Sequence, residues 1–364
     1  MKPSPNTIAE PSNATFSEDL PEDFRLEAYH YELPEELIAY HPPERREESR
    51  LLVLHRDSGR MEHRKRFSEI EEYLRAGDLL VLNDTRVFPA RLTGRKETGG
   101  RVEILLLELP ESGKPVPALY RGKKLLPGYR VIFSEELSAR VLAKTPEGKL
   151  ELLLEGPEDL LSAIKRVGKA PLPPYIKREP RESDLSRYQT VYARRDGSVA
   201  APTAGFHFSE GLLERLREKG VQLAFLTLHV GYGTFAPVKT RDIRRHRLHR
   251  EYVEIPGETV RAVEETHRRG GRVVAVGTTT VRALEWGALS GRLEPRKGWC
   301  DLYIYPGFRF RVVQAMITNF HLPGSSLLIL VSAFAGREPV LKAYREAVKL
   351  RYRFFSYGDA MLIL

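Results

Sequence analysis

The run SEGLLERLREKGVQLAFLTLHVGYGTF, residues 209–235, carries the pattern on which the fold turns. An amphipathic helical stretch over 210–219, with Ser209 placed as its N-cap, gives way to a continuous apolar run at 222–228 that reads as a strand. The strand then empties into a histidine and two glycines. The same alternation recurs outward from it: EDLLSAIKRVGKA, ETVRAVEETHRRGG and EPVLKAYREAVKLRYRF read as helices, and RVVAVGT, LYIYPGF and LLILVSAF as strands. Strands alternating with amphipathic helices predict an α/β layer fold.

Residues 78–155 have another texture. Short apolar runs such as LLVLND, RVEILLLEL, RVIFSE, ARVLAK and KLELLLE follow one another between turns, which predicts a small closed all-β unit. Because α/β elements lie on both sides, the expectation is a large α/β domain over 25–77 and 156–364 with a small β-barrel domain inserted at 78–155. Upstream, a short helix at ELPEELIA precedes a strand at 51–55 and a turn at 57–59, and FSEIEEYLRAG reads as a helix capped at Gly77. The first 24 residues, rich in Pro, Ser, Asn and acid, are expected to be a disordered leader rather than a signal peptide.

Composition narrows the functional classes. The 364 residues are 41% hydrophobic, with no run near the roughly 18 apolar residues that a membrane span needs, so a soluble protein without membrane contact is expected; the single cysteine fits a reducing cytoplasm, and a monomer is expected. A single cysteine, Cys300, excludes an internal disulfide and a thiolate-cluster metal site. The net charge of +9 leaves a polyanionic partner open. Amides are scarce in a chain dense in Arg and Glu, a pattern of thermophilic sources.

Ligands of α/β folds sit where strands end and loops begin, and polar clusters fall there. Thr203, Gly205 and His207 stand in APTAGFHF; His229, Gly231, Gly233 and Thr234 in LHVGYGTF; Thr278, Thr279 and Arg282 in GTTTVRALE; Asn319 and His321 in TNFHLPGSS; Tyr357 and Asp359 in FFSYGDAM. Any one of these alone is an ordinary capped turn. Six of the ten histidines lie between 207 and 321, and His207, His229 and His321 all occupy expected strand ends, which points to acid–base chemistry. No HExxH accompanies them, so no metal is expected. The basic strip KTRDIRRHRLHREY, with Arg244, Arg245 and Arg247, is either a solvated face or a phosphate-contacting surface, and RGKK adds Lys123 and Lys124 in the β insert.

Taken together, GDLLVLNDTRVFPARL, PLPPYI, YQTVYA, APTAGFHF, LHVGYGTF, VGTTTVRALE, TNFHLPGSSLLILVSAF and RFFSYGDAMLI give the chain a resemblance to a known family. It resembles the S-adenosylmethionine:tRNA ribosyltransferase-isomerases, the QueA family of queuosine biosynthesis, from about Tyr31 to the C-terminus. That resemblance implies a transferase and isomerase of tRNA modification. It would move the ribosyl part of S-adenosylmethionine, a consumed co-substrate, onto 7-aminomethyl-7-deazaguanine at the tRNA wobble position, giving epoxyqueuosine and releasing adenine and methionine. The family's fold, a large α/β domain with an inserted small β-barrel, agrees with the segmentation.

Joined to that chemistry, His207, His229 and His321 become acid–base candidates without assigned roles. The turns at Gly205, Gly231 and Gly233 would let the main chain approach the nucleoside. Thr203, Thr234, Thr278, Thr279, Arg282, Asn319 and Tyr357 would bind substrate, Arg282 being suited to the methionine carboxylate or a ribose hydroxyl. Asp84, Arg86 and Asp359 are further substrate-binding candidates. The rivals are an RNA methyltransferase, which would release S-adenosylhomocysteine, and a non-catalytic tRNA-binding protein.

Overall fold

The computed structural model describes residues 20–364. At its centre the strands Gln222–Leu228, Leu79–Asn83, Val273–Val276 and Ala315–Asn319 lie side by side and parallel. Three of them, LLVLN, VVAV and AMITN, are buried at every position. Such near-continuous apolar runs are what a sheet covered on both faces requires. Ala360–Ile363 continues the sheet antiparallel to Ala315–Asn319, followed by Leu51–His55 and Arg60–Arg64. On the other side Glu251–Ile255 and Arg296–Cys300 complete nine strands. Both outermost strands, RMEHR and RKGWC, are rich in charge, with Arg60, His63, Arg296, Lys297 and Trp299 exposed, which discourages edge-to-edge pairing.

Alternate residues of the central strands feed two cores. Leu79, Val81, Val273 and Ala275 pack under the helices Gly257–Arg268, Thr278–Gly287, Ser326–Ala335 and Arg337–Lys349. Leu80, Leu82, Val274 and Val276 pack against the helix Glu210–Glu218 and the 3-10 turn Phe67–Glu72 on the opposite face. Ser209 caps Glu210–Glu218 as expected, its hydroxyl accepting from the Leu212 N–H.

A closed barrel of six antiparallel strands runs from Arg91 to Glu155. Its interior is built by alternation, with Leu92, Val102, Ile104, Val116, Val141 and Leu152 inward, and the helix Leu160–Val167 contributes Leu160, Ala163 and Ile164 to the same core.

Several expectations are corrected. LLILVSAF is not a strand but the helix Ser326–Ala335, started by the Ser325 hydroxyl accepting from the Leu328 N–H. It is apolar on nearly all sides because it is buried on nearly all sides, so its sequence shows no stripe. LYIYPGF is an irregular segment bent at Pro306 and Gly307, with Tyr303, Tyr305 and Phe308 packed on the core. The strand Leu79–Asn83, which the expected start of the insert at 78 assigned to the barrel, lies at the centre of the large sheet. Of the expected leader, residues 1–19 lie outside the described residues, whereas Glu22–Phe24 forms a 3-10 turn whose Glu22 and Asp23 pair with Arg337. FSEIEEYL makes a 3-10 turn instead of an α-helix and ends before Gly77, which sits at φ +89° beyond it.

Candidate functional site

The four parallel strands end at one edge of the sheet, and polar groups gather there. Asn83 ends its strand with its amide bracketing the next one: Oδ1 accepts from the Leu228 N–H at 3.0 Å and Nδ2 donates to the Leu228 carbonyl at 2.9 Å. Asn319 ends the strand two places away and is fully engaged. Its Oδ1 accepts from the Thr203 hydroxyl at 3.0 Å and its Nδ2 donates to the Phe355 carbonyl at 3.1 Å. Phe355 sits at φ +71°, a conformation that costs a non-glycine residue energy and is held here by that bond and by its own N–H on the Phe320 carbonyl. Between these ends and the N-terminus of the helix Thr278–Gly287 lies a cavity of about 130 Å³. Thr203, Thr234, Thr278, Thr279, Asn319 and His321 all line it, so six residues singled out in the sequence meet in one place. Thr318, Tyr175, Ser325 and Ser356 line the same cavity without being among those candidates, although each stands in a stretch quoted above: TNFHLPGSS for Thr318 and Ser325, PLPPYI for Tyr175 and FFSYGDAM for Ser356.

His207 stands behind this wall instead of in it. It closes the 3-10 turn Thr203–His207 and is 3% exposed. Its tautomer follows from its partners. The Phe355 carbonyl can only accept, so the nitrogen of the Asn319 amide faces it and also meets His207 Nε2 at 3.2 Å. Nε2 is therefore the acceptor and Nδ1 carries the proton, donated to Ser49 Oγ at 2.6 Å. Burial, reinforced by the guanidinium groups of Arg46 and Arg353, pushes its pKa from 6.5 down to about 3. His207 thus orients Asn319 as a neutral ring. As pH falls below 6.5 the unfolded chain binds a proton that the folded chain refuses, so this contribution to stability is complete above pH 6.5 and lost progressively toward 3. The slope is about 1.4 kcal/mol per pH unit. Between pH 7 and 5, urea unfolding of the wild type should lose about 2 kcal/mol more than that of His207→Asn; equal losses would contradict the assignment.

His321 faces the cavity, with Nε2 at 2.7 Å from Thr318 Oγ1, and burial lowers its pKa to about 3. His229 is elsewhere. It lines a cleft of about 850 Å³ between the barrel residues Leu107, Glu108 and Pro117 and the sheet residues Tyr252 and Trp299. Its Nδ1 meets Thr85 Oγ1 at 2.8 Å, and Thr85 in turn meets Ser198 Oγ at 2.8 Å. The ring lies parallel to Tyr252 and flat on Gly197, where a Cβ would come within 2.6 Å of it. Burial lowers its pKa while Asp84 pulls it back up. The three histidines therefore do not share one hollow. The larger cleft is the more open space, but the smaller cavity holds the convergent polar groups; they adjoin, since Val230 and Ala236 line both.

Comparison with known proteins gives the family. A family described as "Queuosine biosynthesis protein" matches residues 26–363. The chain belongs to that family. It is similar to the S-adenosylmethionine:tRNA ribosyltransferase-isomerase of Aquifex aeolicus, 56% identical over 93% of this chain and 100% of the relative, and to that of Thermotoga maritima, 54% identical with the same coverage. A crystal structure of S-adenosylmethionine tRNA ribosyltransferase from Thermotoga maritima matches 94% of this chain and 100% of its own at 45% identity, with a TM-score of 0.54.

The remaining candidates separate into those beside the cleft and those away from it. Gly231 opens on the cleft and gives its N–H to Glu251, and Arg282 pairs with the same carboxylate at 2.5 Å. Gly205 does not approach a ligand: it is buried, because any Cβ there would strike the Tyr192 hydroxyl. Gly233 borders the cleft with its open side taken by the His249 ring. Tyr357 donates to Asp184, and Asp359 accepts the main-chain N–H groups of Arg50 and Arg353; neither lines the cavity. Asp84 accepts from the Thr227 hydroxyl, and Arg86 donates to the Ala193 carbonyl, both outside the cavity. The basic strip is a loop with one 3-10 turn, Ile243–Arg245, rather than a helix face. Arg244 pairs with Asp242, while Arg247, Lys123 and Lys124 are exposed. Among the described residues no group of three or more His, Cys, Asp or Glu could hold a metal ion, and no helix is long and apolar enough to cross a membrane.

Proposed function

We propose that the chain transfers and isomerises the ribosyl moiety of S-adenosylmethionine onto 7-aminomethyl-7-deazaguanine at the tRNA wobble position, forming epoxyqueuosine and releasing adenine and methionine. The observation that carries the reading is the adjacency of a hydroxyl- and amide-lined cavity at the strand ends to an open cleft reaching the barrel. A nucleoside suits the first. A base turned out of an RNA loop suits the second, where Tyr252 and the half-exposed Trp299 offer ring faces.

The chemistry distributes over these residues. The sulfonium acidifies the hydrogens on the ribose 5′ carbon, and removal of one starts the transfer. His321 is the imidazole that lines the cavity, and we assign it this proton; burial keeps the ring in its unprotonated form beforehand, at the expense of its basicity. The aminomethyl group of the incoming base is cationic near neutral pH and attacks only after losing a proton. His229, on the cleft side and fixed through Nδ1 by Thr85, is the acceptor for it. Thr203, Thr278 and Thr279 offer hydroxyls to the ribose, and Asn319 holds Thr203 in place. Adenine leaves with a proton supplied in the same enclosed space. The setting is the cytoplasm, with the enzyme acting as a monomer.

Incubating the purified protein with S-adenosylmethionine and precursor-bearing tRNA tests this reading. Free adenine and methionine in equal amounts are expected. S-adenosylhomocysteine would favour a methyltransferase, and no small-molecule product a binding protein. For the basic loop, replacing Arg244, Arg245 and Arg247 by alanine should weaken tRNA binding and flatten its salt dependence by about one unit of slope for each phosphate no longer neutralised. An unaltered slope, measured by filter binding across salt concentrations, would return the loop to a solvated surface.

A further inference from the structure

Next to the strand-end cavity is a smaller one of about 20 Å³, and the two share Thr234 and Leu327. Arg282, Tyr303 and Glu251 line it. Arg282 is 6% exposed; it gives Nη1 to Glu251 and Nε to the Leu302 carbonyl, and its buried Nη2 has no partner among the described residues. The Tyr303 hydroxyl is also buried and without a partner among them. Two buried donors lacking acceptors on the wall of one cavity are rare, because each forfeits its bonds to water on folding. They call for an acceptor that the polypeptide does not supply. A guanidinium edge and a phenol together match the two oxygens of a carboxylate, and the space, enough for one or two waters, admits a carboxylate but not a ring.

Glu251 adds the second half. Its Oε1 takes the Gly231 N–H and its Oε2 the Arg282 guanidinium, which leaves carboxylate lone pairs for a further donor beside the same cavity. A site that offers donors for a carboxylate beside an acceptor for an ammonium fits an α-amino acid. We propose that this side cavity clamps the α-amino-carboxylate of the methionyl part of S-adenosylmethionine, with Arg282 and Tyr303 donating to the carboxylate and Glu251 accepting from the ammonium. The clamp rests on the proposed function, in which the adjoining cavity holds the nucleoside. It anchors the end of the substrate that leaves as methionine.

Tyr303→Phe is the decisive variant, since it deletes a hydroxyl that has no partner to lose among the described residues. With saturating precursor tRNA, its KM for S-adenosylmethionine should rise about 5- to 10-fold, while Ki for the decarboxylated analogue and Tm stay as in the wild type. Arg282→Lys, which keeps the charge paired with Glu251 but loses the planar edge, should narrow the preference for S-adenosylmethionine over the analogue in the same direction. An unchanged KM in Tyr303→Phe, or equal weakening of both ligands, would overturn the clamp. Wild-type protein that releases adenine and methionine alongside that outcome would leave the proposed function standing; wild-type protein that releases neither would remove both.

Discussion

His229→Ala is expected to lower turnover at saturating S-adenosylmethionine and tRNA by about 10²- to 10⁴-fold, the usual worth of a positioned general acid or base. Its affinity for tRNA should stay within about two-fold, because one ring among many contacts adds little to a phosphate-dominated interaction. Much of the local structure exists to hold this ring. Thr85 and Ser198 form a hydroxyl chain to Nδ1, Ser198 is itself fixed by the Val230 N–H, and Gly197 withholds a Cβ so that the imidazole can lie against Tyr252. Gly197→Ala should therefore reproduce part of the loss without touching the histidine. Single-turnover measurements with preformed enzyme–tRNA complex separate the two effects. Turnover by His229→Ala within ten-fold of wild type would remove this residue from the chemistry.

The second large effect belongs to the opposite end of the sheet. Asp78 is completely buried where the strands begin, and its carboxylate accepts from the Arg272 N–H, from Arg272 Nε at 3.1 Å and Nη2 at 2.5 Å, and from the Arg75 N–H. Its own carbonyl takes the Gln222 N–H, so one residue registers three adjoining strands. Asp78→Ala leaves Arg272, largely covered, without its counter-charge and should cost about 3–5 kcal/mol of unfolding free energy. Kinetic constants of the fraction that remains folded should be near wild type, because the site lies at the other edge. Chemical denaturation with parallel assay below the transition checks both halves; a loss under about 1 kcal/mol, or a KM change in the folded fraction, would contradict this division of labour.

How far the sequence discloses this depends on the residue. Alternation of capped amphipathic helices with apolar strands makes the α/β layers legible, and short apolar runs between turns make the barrel legible. Periodicity cannot separate LLILVSAF, a helix buried nearly all round, from a buried strand, nor tell that LLVLN belongs to the central sheet while RVEILL closes a barrel. Pairing partners decide both, and they lie far away in the chain. In the site, Thr203, Thr278, Thr279, Asn319 and His321 converge as strand-end residues should. The histidines separate because burial, invisible in the sequence, turns His207 into a support for Asn319 and places His229 on the neighbouring cleft. Asn83 carries a signal of another kind. In a chain nearly free of amides, those retained at Asn83, Gln189, Gln314 and Asn319 all bond to main-chain groups.

The central claim is that S-adenosylmethionine sits at the carboxyl ends of the parallel strands, one wall away from the cleft that receives the base. A crystal structure of the protein with S-adenosylmethionine tests it most directly. The account predicts the ribose against Thr203, Thr278 and Asn319, with its 5′ carbon toward His321. Density for the nucleoside in the cleft beside Trp299, or on any other surface, with the strand-end cavity closed, would contradict it.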